Sequence, residues 1–270
     1  MGARHFHGAV QIGQKDGYSF MKSGRVQACI DYIRFNQEAE GFELSSDEED
    51  SLRQVLEGDV LPDDLIKGLL DKEGLTTTHT LPKDVGGYFP RTKSLVNYFG
   101  IKERTRLREV EMKISNIRTA ELLAEPALRE FDFAYLKNIH YVLFGDIYPS
   151  AGHVRSIMAA KRTEFCSPEF IESTAEDIFS RLHKGHYLKG MDREEFINDL
   201  AFFMGEVEAL HPFRDGNGRT TRMFFYQLAM QAGYDIDWAM VDPDRLLEAD
   251  ISAIDGDYQL LIDVWEEVVL

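Results

Sequence analysis

The chain has 270 residues, of which 44% are hydrophobic and 11% aromatic, so it can bury a sizeable core and wholesale disorder is excluded. Thirty Lys and Arg against 47 Asp and Glu leave a formal net charge of -17, which repels nucleic-acid phosphate and anionic membranes. A small phosphate ligand gripped by a few arginines stays compatible with that charge.

In chain order, residues 1–20 carry Gly2, Gly8, Gly13 and Gly17 with no sustained period and read as a leader, with Met21 a candidate natural start. Residues 21–73 predict three short helices. In the first, Val26, Ile30 and Ile33 recur at helical spacing before Gly41. Ser46-Asp47-Glu48-Glu49 predicts a capping box ahead of Leu52, Val55 and Leu56. Pro62 opens the third, which carries Leu65, Ile66, Leu69 and Leu70. Three such helices make a poor independent core, so the block is expected to dock on the rest of the chain. Thr, Pro and Gly accumulate over residues 74–90, the signature of a linker.

Residues 91–270 predict a mainly α domain. Apolar stripes mark helices over 104–123, 132–144, 168–184, 192–210 and 218–232, the last ended by Gly233, and two more amphipathic helices close the chain. Residues 155–165 break the helical pattern and predict a short β-hairpin. Cys29 and Cys166 make neither a disulfide framework nor a metal-binding spacing, and no apolar run reaches the length of a bilayer span. Without a secretion signal at its start, the chain is expected to be soluble and cytoplasmic.

The segment that carries chemistry is His211-Pro212-Phe213-Arg214-Asp215-Gly216-Asn217-Gly218-Arg219-Thr220-Thr221-Arg222. It joins two hydrophobic helices. Gly216, Asn217 and Gly218 sit where the second helix begins, and the free N–H groups and positive dipole end there favour an anion. Arg219 and Arg222, three residues apart, share a face of the first turn and can hold phosphate oxygens. Two cations at that end of a helix are unfavourable unless an anion offsets them. Asp215 beside the anion site suits a Mg²⁺ ion shared with phosphate, and His211 is the natural proton acceptor near neutral pH. Together these groups point to phosphoryl- or nucleotidyl-group transfer.

The segment resembles the Fic family, whose motif His-Pro-Phe-x-(Asp/Glu)-Gly-Asn-Gly-Arg-x-x-Arg is filled at every defined position. Leu136-Lys137-Asn138-Ile139-His140, Leu143-Phe144-Gly145-Asp146-Ile147-Tyr148, Ala151-Gly152 and Arg155 are similar to the family's upstream helix and turn, although Ser150 stands where many members carry Trp. The similarity spans roughly residues 91–265. It implies a helical Fic core with a β-hairpin flap and the transfer of AMP from ATP to a Ser, Thr or Tyr hydroxyl of a target protein. By resemblance, His211 is the base and Asp215 holds Mg²⁺. Gly216, Asn217 and Gly218 cradle the phosphates, the Asn217 side chain helping. Arg219 steadies the β-phosphate, Arg222 engages the γ-phosphate, and Phe213 is a buried anchor. Residues 155–165 look like the flap, with Lys161, Arg162 and Thr163 near its tip as target-docking residues. Gly218, where relatives that phosphorylate carry Lys, favours AMP transfer.

Many Fic proteins are restrained by a helix bearing (Ser/Thr)-x-x-x-Glu-(Gly/Asn). Residues 36–41 read Asn36-Gln37-Glu38-Ala39-Glu40-Gly41, so Glu-Gly is intact and Asn36 replaces the hydroxyl residue. The resemblance implies that residues 21–73 act as a fused, antitoxin-like inhibitory domain in which Glu40 pairs with Arg222. His140 reads as a packed, hydrogen-bonded helix residue and Cys166 as a small side chain without an activating partner. Two other readings stay open. One is transfer of a different group (UMP, phosphate, or removal of AMP). The other is a non-catalytic module that senses nucleotide.

Overall fold

The computed structural model describes residues 23–77, 81, 86–124, 130–159 and 165–270. Ten α-helices dominate these residues, and the β structure among them is limited to isolated bridges at Tyr88–Leu95 and Ile236–Val269. The mainly α expectation holds. Helix α1 spans Ser23–Ala39, α2 Ser46–Leu56, α3 Pro62–Lys72, α4 Arg104–Ala124 and α5 Phe133–Phe144. After the 155–165 segment come α6 at Ile171–Lys184, α7 at Arg193–Leu210, α8 at Asn217–Ala232, α9 at Pro243–Ile254 and α10 at Gln259–Val268. Among the described residues no helix is long and apolar enough to cross a membrane.

The start signals worked largely as the sequence suggested, with one shift. The capping box of α2 uses Ser45, whose hydroxyl accepts the Glu48 N–H, while the Glu48 carboxylate accepts the Ser45 N–H at 3.1 Å. Ser46 is already the first helical residue. Pro62 opens α3, and Asp132 and Asp192 cap α5 and α7 with their side chains.

Helices α1–α3 dock as expected of a trio too small to hold itself together. Val26, Cys29, Ile30, Tyr32, Ile33 and Phe35 on α1 are buried in the same core as the helices downstream. Tyr32 stacks on Tyr226 of α8 with centroids 4.9 Å apart and meets the edge of Trp238, also at 4.9 Å; Phe35 meets Trp238 at 5.0 Å. Helix α2 packs across α4, and α3 is tied to α4 through Glu73, which accepts from Arg106 Nη2 at 2.5 Å and Lys113 Nζ at 2.9 Å. Helix α7 meets α9 closely because residue 205 is glycine. A Cβ there would lie 2.7 Å from the Tyr258 ring and 2.9 Å from the Ala253 methyl.

The far end of the segment read as a linker, residues 74–90, is held. Gly86 and Tyr88 touch the motif loop and Phe89 is buried.

Two stability effects follow. Replacing Tyr32 by Ala removes an anchor of the shared core and is expected to lower unfolding free energy by about 3 kcal/mol in urea titration. A loss below about 1 kcal/mol would show that α1 contributes little to that core. Hydrogen bonds from Arg106 and then Lys113 hold the Glu73 carboxyl at about 2, below its ordinary value of 4.5. A depressed carboxylate stabilises the fold above its unfolded value, and the effect fades as pH falls from about 4.5 towards 2. Because these ion pairs lie near the surface, Glu73→Gln should cost only about 0.5 kcal/mol at pH 7 and progressively less as pH falls towards 2.

Candidate active site

The loop between α7 and α8 begins with a strained residue. His211 caps α7 in the left-handed region (φ 44°, ψ 59°), an unfavourable conformation for a residue with a β-carbon. Its surroundings hold it there. The His211 N–H donates to Val207 O at 3.2 Å, and its carbonyl accepts from Arg155 Nε at 2.7 Å. Its ring lies flat on Phe165, centroids 3.7 Å apart and planes 6° from parallel. The buried Arg155 also donates to the carbonyls of Ile157 and Cys166, and its own N–H donates to Pro212 O at 2.8 Å. One guanidinium thus fastens both ends of the 155–165 segment to the motif.

The rest of the loop is pinned from α5. Phe213 is buried, and its ring stacks on His140 at 3.9 Å. His140 Nδ1 accepts the Gly152 N–H at 2.8 Å, which leaves Nε2–H to donate to Asp215 O at 2.9 Å. Burial drives the imidazole pKa down to about 3, so His140 is a neutral strut between the upstream turn and the motif. Gly216 is left-handed (φ 76°), and a Cβ on it would fall 2.4 Å from the Phe144 ring, so only glycine fits. On the outer side Arg214 Nε donates to Gly86 O at 3.0 Å and its guanidinium lies 5.0 Å from the Tyr88 ring centre.

Asn217 departs from its expected use. Its Oδ1 accepts the Phe213 N–H at 2.8 Å and its Nδ2 donates to Phe213 O at 2.9 Å. Both ends of the side-chain amide close the loop, so the donors left open at the start of α8 are backbone ones. As first-turn groups of α8, the N–H groups of Asn217, Gly218 and Arg219 have no acceptor one turn back.

Both motif arginines are buried, at 7% and 8% exposure, and each is matched from a different element. Arg219 forms an ion pair with the buried Glu111 of α4, donates to Ser115 Oγ at 3.2 Å, and lies 4.7 Å from the Phe144 ring centre. The second oxygen of Glu111 accepts from the Tyr148 hydroxyl. Burial opposes the charge on Arg219, yet Glu111 and then Glu40 outweigh it and its pKa is raised; burial lifts that of Glu111 against the pull of Arg219. Arg222 Nε donates to Asn36 Oδ1 at 2.8 Å, and Asn36 Nδ2 donates to Tyr32 O at 2.8 Å.

The expected Glu40–Arg222 pair is therefore not formed. Glu40 Oε1 lies 3.5 Å from Arg219 Nε, and its Oε2 lies 3.7 Å from Arg108 Nη2. The reason is the direction of the two helices. Asn36 stands one turn before Glu40 and Arg222 one turn after Arg219, so segments meeting in opposite senses match Asn36 with Arg222 and Glu40 with Arg219. Asn36 fills the place of the motif's hydroxyl residue by using both ends of its amide.

Glu40, Lys93, Arg108, Glu111, Asp215 and Arg219, among others, line a cleft of about 530 Å³. Asp215 is exposed into it, with Oδ1 accepting the Gly216 N–H at 2.8 Å. Among the described residues no three His, Cys, Asp or Glu side chains converge as a metal cage. One free-standing carboxylate beside an anion site still fits Mg²⁺, which takes few protein ligands and completes its shell with phosphate oxygens and water. Lys161, Arg162 and Thr163 lie outside the described residues, so their expected docking role has no structural reading here. Among the described flanks no strand is formed, and Phe165 N–H donates to Ala159 O at 3.2 Å.

Residues 130–229, from just before α5 to the body of α8, match the Fic/DOC family model. The chain is 40% identical over 173 residues to Protein adenylyltransferase VbhT of Bartonella schoenbuchensis, covering 64% of this chain but only 36% of that protein. It is 36% identical over 171 residues to Probable protein adenylyltransferase y4lH of Sinorhizobium fredii, covering 63% of this chain and 88% of that protein. The chain belongs to the Fic/DOC family. The crystal structure of BepC from Bartonella tribocorum with bound AMPPNP shares its fold, with a TM-score of 0.62 at 28% identity over 68% of this chain and 95% of that one. Helices α1–α3 lie outside the residues matched by the Fic/DOC model.

Sequence reasoning missed Glu111 at this Fic site, a carboxylate on the apolar stripe of α4 between Leu107 and Ile114, although a charge on a buried face signals a buried partner. His140 was read as a packed, hydrogen-bonded helix residue, and it is one; that its bond reaches the motif was not legible, nor was the grip of Arg155 on the His211 carbonyl. His140→Phe would keep the ring stack but strand the Asp215 carbonyl and the Gly152 N–H. It is expected to lower unfolding free energy by about 2 kcal/mol in urea titration, and a change within about 0.5 kcal/mol would remove the strut role.

Proposed function

We propose that this Fic protein is an autoinhibited adenylyltransferase that moves AMP from ATP to a Ser, Thr or Tyr hydroxyl of another protein. The observation that carries this reading is the intact motif run from His211 through Asp215 and the first turn of α8 to Arg219 and Arg222, of which Asp215 and Arg219 line the cleft. Two relatives bear the name protein adenylyltransferase, and the similar BepC structure holds AMPPNP, which supports a nucleoside triphosphate as the donor.

In this reading His211 accepts the proton of the target hydroxyl. The freed oxygen attacks the α-phosphorus, a P–O bond forms, and the bond to the β-phosphate breaks to release pyrophosphate. The first-turn N–H groups of α8 and the guanidinium groups of Arg219 and Arg222 hold the polyphosphate and its growing charge. Asp215 would hold Mg²⁺, which when bound offsets phosphate charge. The left-handed cap and the Phe165 stack fix the direction of the His211 ring, so the base is oriented before the substrate arrives. The 155–165 segment, tied to His211 through Arg155, would align the target chain.

Inhibition is the second part of the proposal. Glu40 places a carboxylate on Arg219, where a phosphate would otherwise bind, and Asn36 occupies Arg222. Residues 21–73 then act as an antitoxin-like domain carried in the same polypeptide, in the manner of a toxin–antitoxin pair. A tether keeps its effective concentration near the millimolar range, so modest contacts suffice.

The test is labelling by α-³²P-ATP with Mg²⁺ in a bacterial lysate. Glu40→Gly should raise protein labelling at least about tenfold over wild type, and His211→Ala in the Glu40→Gly background should cut it by about a thousandfold. Label from γ-³²P-ATP should stay off protein. Equal labelling by wild type and Glu40→Gly would remove the switch while keeping the enzyme, and transfer of the γ label would replace AMP transfer by phosphorylation.

A further inference from the structure

The carboxylate of Glu40 sits between two guanidinium groups, and only one of them belongs to the motif. Arg219 Nε approaches Oε1 at 3.5 Å and Arg108 Nη2 approaches Oε2 at 3.7 Å. Arg108 stands on α4 one turn before Glu111, so the two share the helix face turned towards α8. Its Nη2 also donates to the Glu40 main-chain oxygen at 2.6 Å, and its guanidinium lies 5.2 Å from the Phe42 ring centre. Arg108, Arg219 and Asp215 line the same cleft, together with Lys93 and Arg104.

Two guanidinium groups converging on one carboxylate form an anion site, and a phosphate offers the same charge and acceptor geometry. Glu111 does not compete for Arg108, because its two oxygens are taken by Arg219 and Tyr148. The two arginines also differ in freedom. Arg219 is nearly enclosed, with 7% of its side chain exposed, whereas 43% of the Arg108 side chain is exposed and able to turn into the cleft.

We infer that Arg108 is a third phosphate-binding arginine, outside the motif, which closes with Arg219 on the distal phosphates of the nucleoside triphosphate once Glu40 withdraws. The inference rests on the adenylyltransferase reading and deepens it. Glu40 and the polyphosphate then compete for one pair of arginines, so each excludes the other.

The experiment is calorimetric titration of the full chain carrying Glu40→Gly, with and without Arg108→Ala or Arg108→Gln, using AMPPNP with Mg²⁺ and, separately, AMP. Loss of Arg108 should weaken AMPPNP binding by about tenfold, the scale of one charge-assisted contact, and AMP binding by less than about twofold. Arg108→Lys should recover part of the loss, since it restores the charge but not the fork. Unchanged AMPPNP affinity, or an equal loss for AMPPNP and AMP, overturns the inference, the second pattern marking a merely structural role. If Glu40→Gly alone binds no AMPPNP, the adenylyltransferase reading falls and this inference with it. Binding of AMPPNP that ignores Arg108 sinks only the inference.

Discussion

Two guanidinium groups are buried at the positive end of α8, and the rest of the site is arranged around that constraint. Placing cations where the helix dipole is already positive is unfavourable, and burial adds to the difficulty. The structure answers with polar partners from two neighbouring helices. Helix α4 supplies Glu111 and Ser115 to Arg219, and α1 supplies Asn36 to Arg222. Phe144 and Phe35 add ring faces at 4.7 and 5.8 Å from the two guanidinium carbons.

The loop ahead of α8 meets a second constraint, because His211 and Gly216 both adopt left-handed backbone within six residues. Strain of this kind persists only when the surroundings over-determine it. Here Arg155 holds the His211 carbonyl, His140 holds the Asp215 carbonyl, and Asn217 holds both polar groups of Phe213. All three clamps grip the main chain and leave the Asp215 side chain facing the cleft. The same contacts that make the loop rigid therefore leave its chemistry exposed.

Much of this was legible in the sequence, for identifiable reasons. The helices carry long apolar periods and their caps are local, so most bounds came within a residue or two; α6 begins three residues after the expected 168, behind a 3-10 turn at Pro168–Phe170. The cap of α2 is instructive. Ser45 with Glu48 and Ser46 with Glu49 both satisfy the capping spacing, and the helix uses the first. The motif announced the chemistry because its residues are contiguous. The partner of Glu40 could not be read in the same way. It depends on the direction in which α1 crosses the start of α8, a relation between residues almost two hundred positions apart. Arg108 and Glu111 were hidden for a like reason, since nothing in a single amphipathic helix says which arginine or glutamate will face a distant loop.

The two carboxylates on Arg219 are not equivalent, and the proposed switch turns on the difference. Glu111 is 7% exposed, in direct ion pair and fixed by Tyr148, so removing it would leave a buried cation without a counter-charge. Glu40 is 31% exposed and stands 3.5 Å from Arg219 Nε, beyond good hydrogen-bond length, in the turn that follows α1. A partly exposed pair of this kind is worth about 1 kcal/mol or less, which a nucleotide's phosphates can readily exceed. The docking of α1 rests instead on Tyr32, Phe35 and their aromatic neighbours, a turn or more away from Glu40. The apolar contact can therefore hold the helical block in place while only its last turn yields. On this arrangement Glu111 is the permanent counter-ion of Arg219 and Glu40 the removable one, and the proposed inhibition is relieved without undocking the helical block.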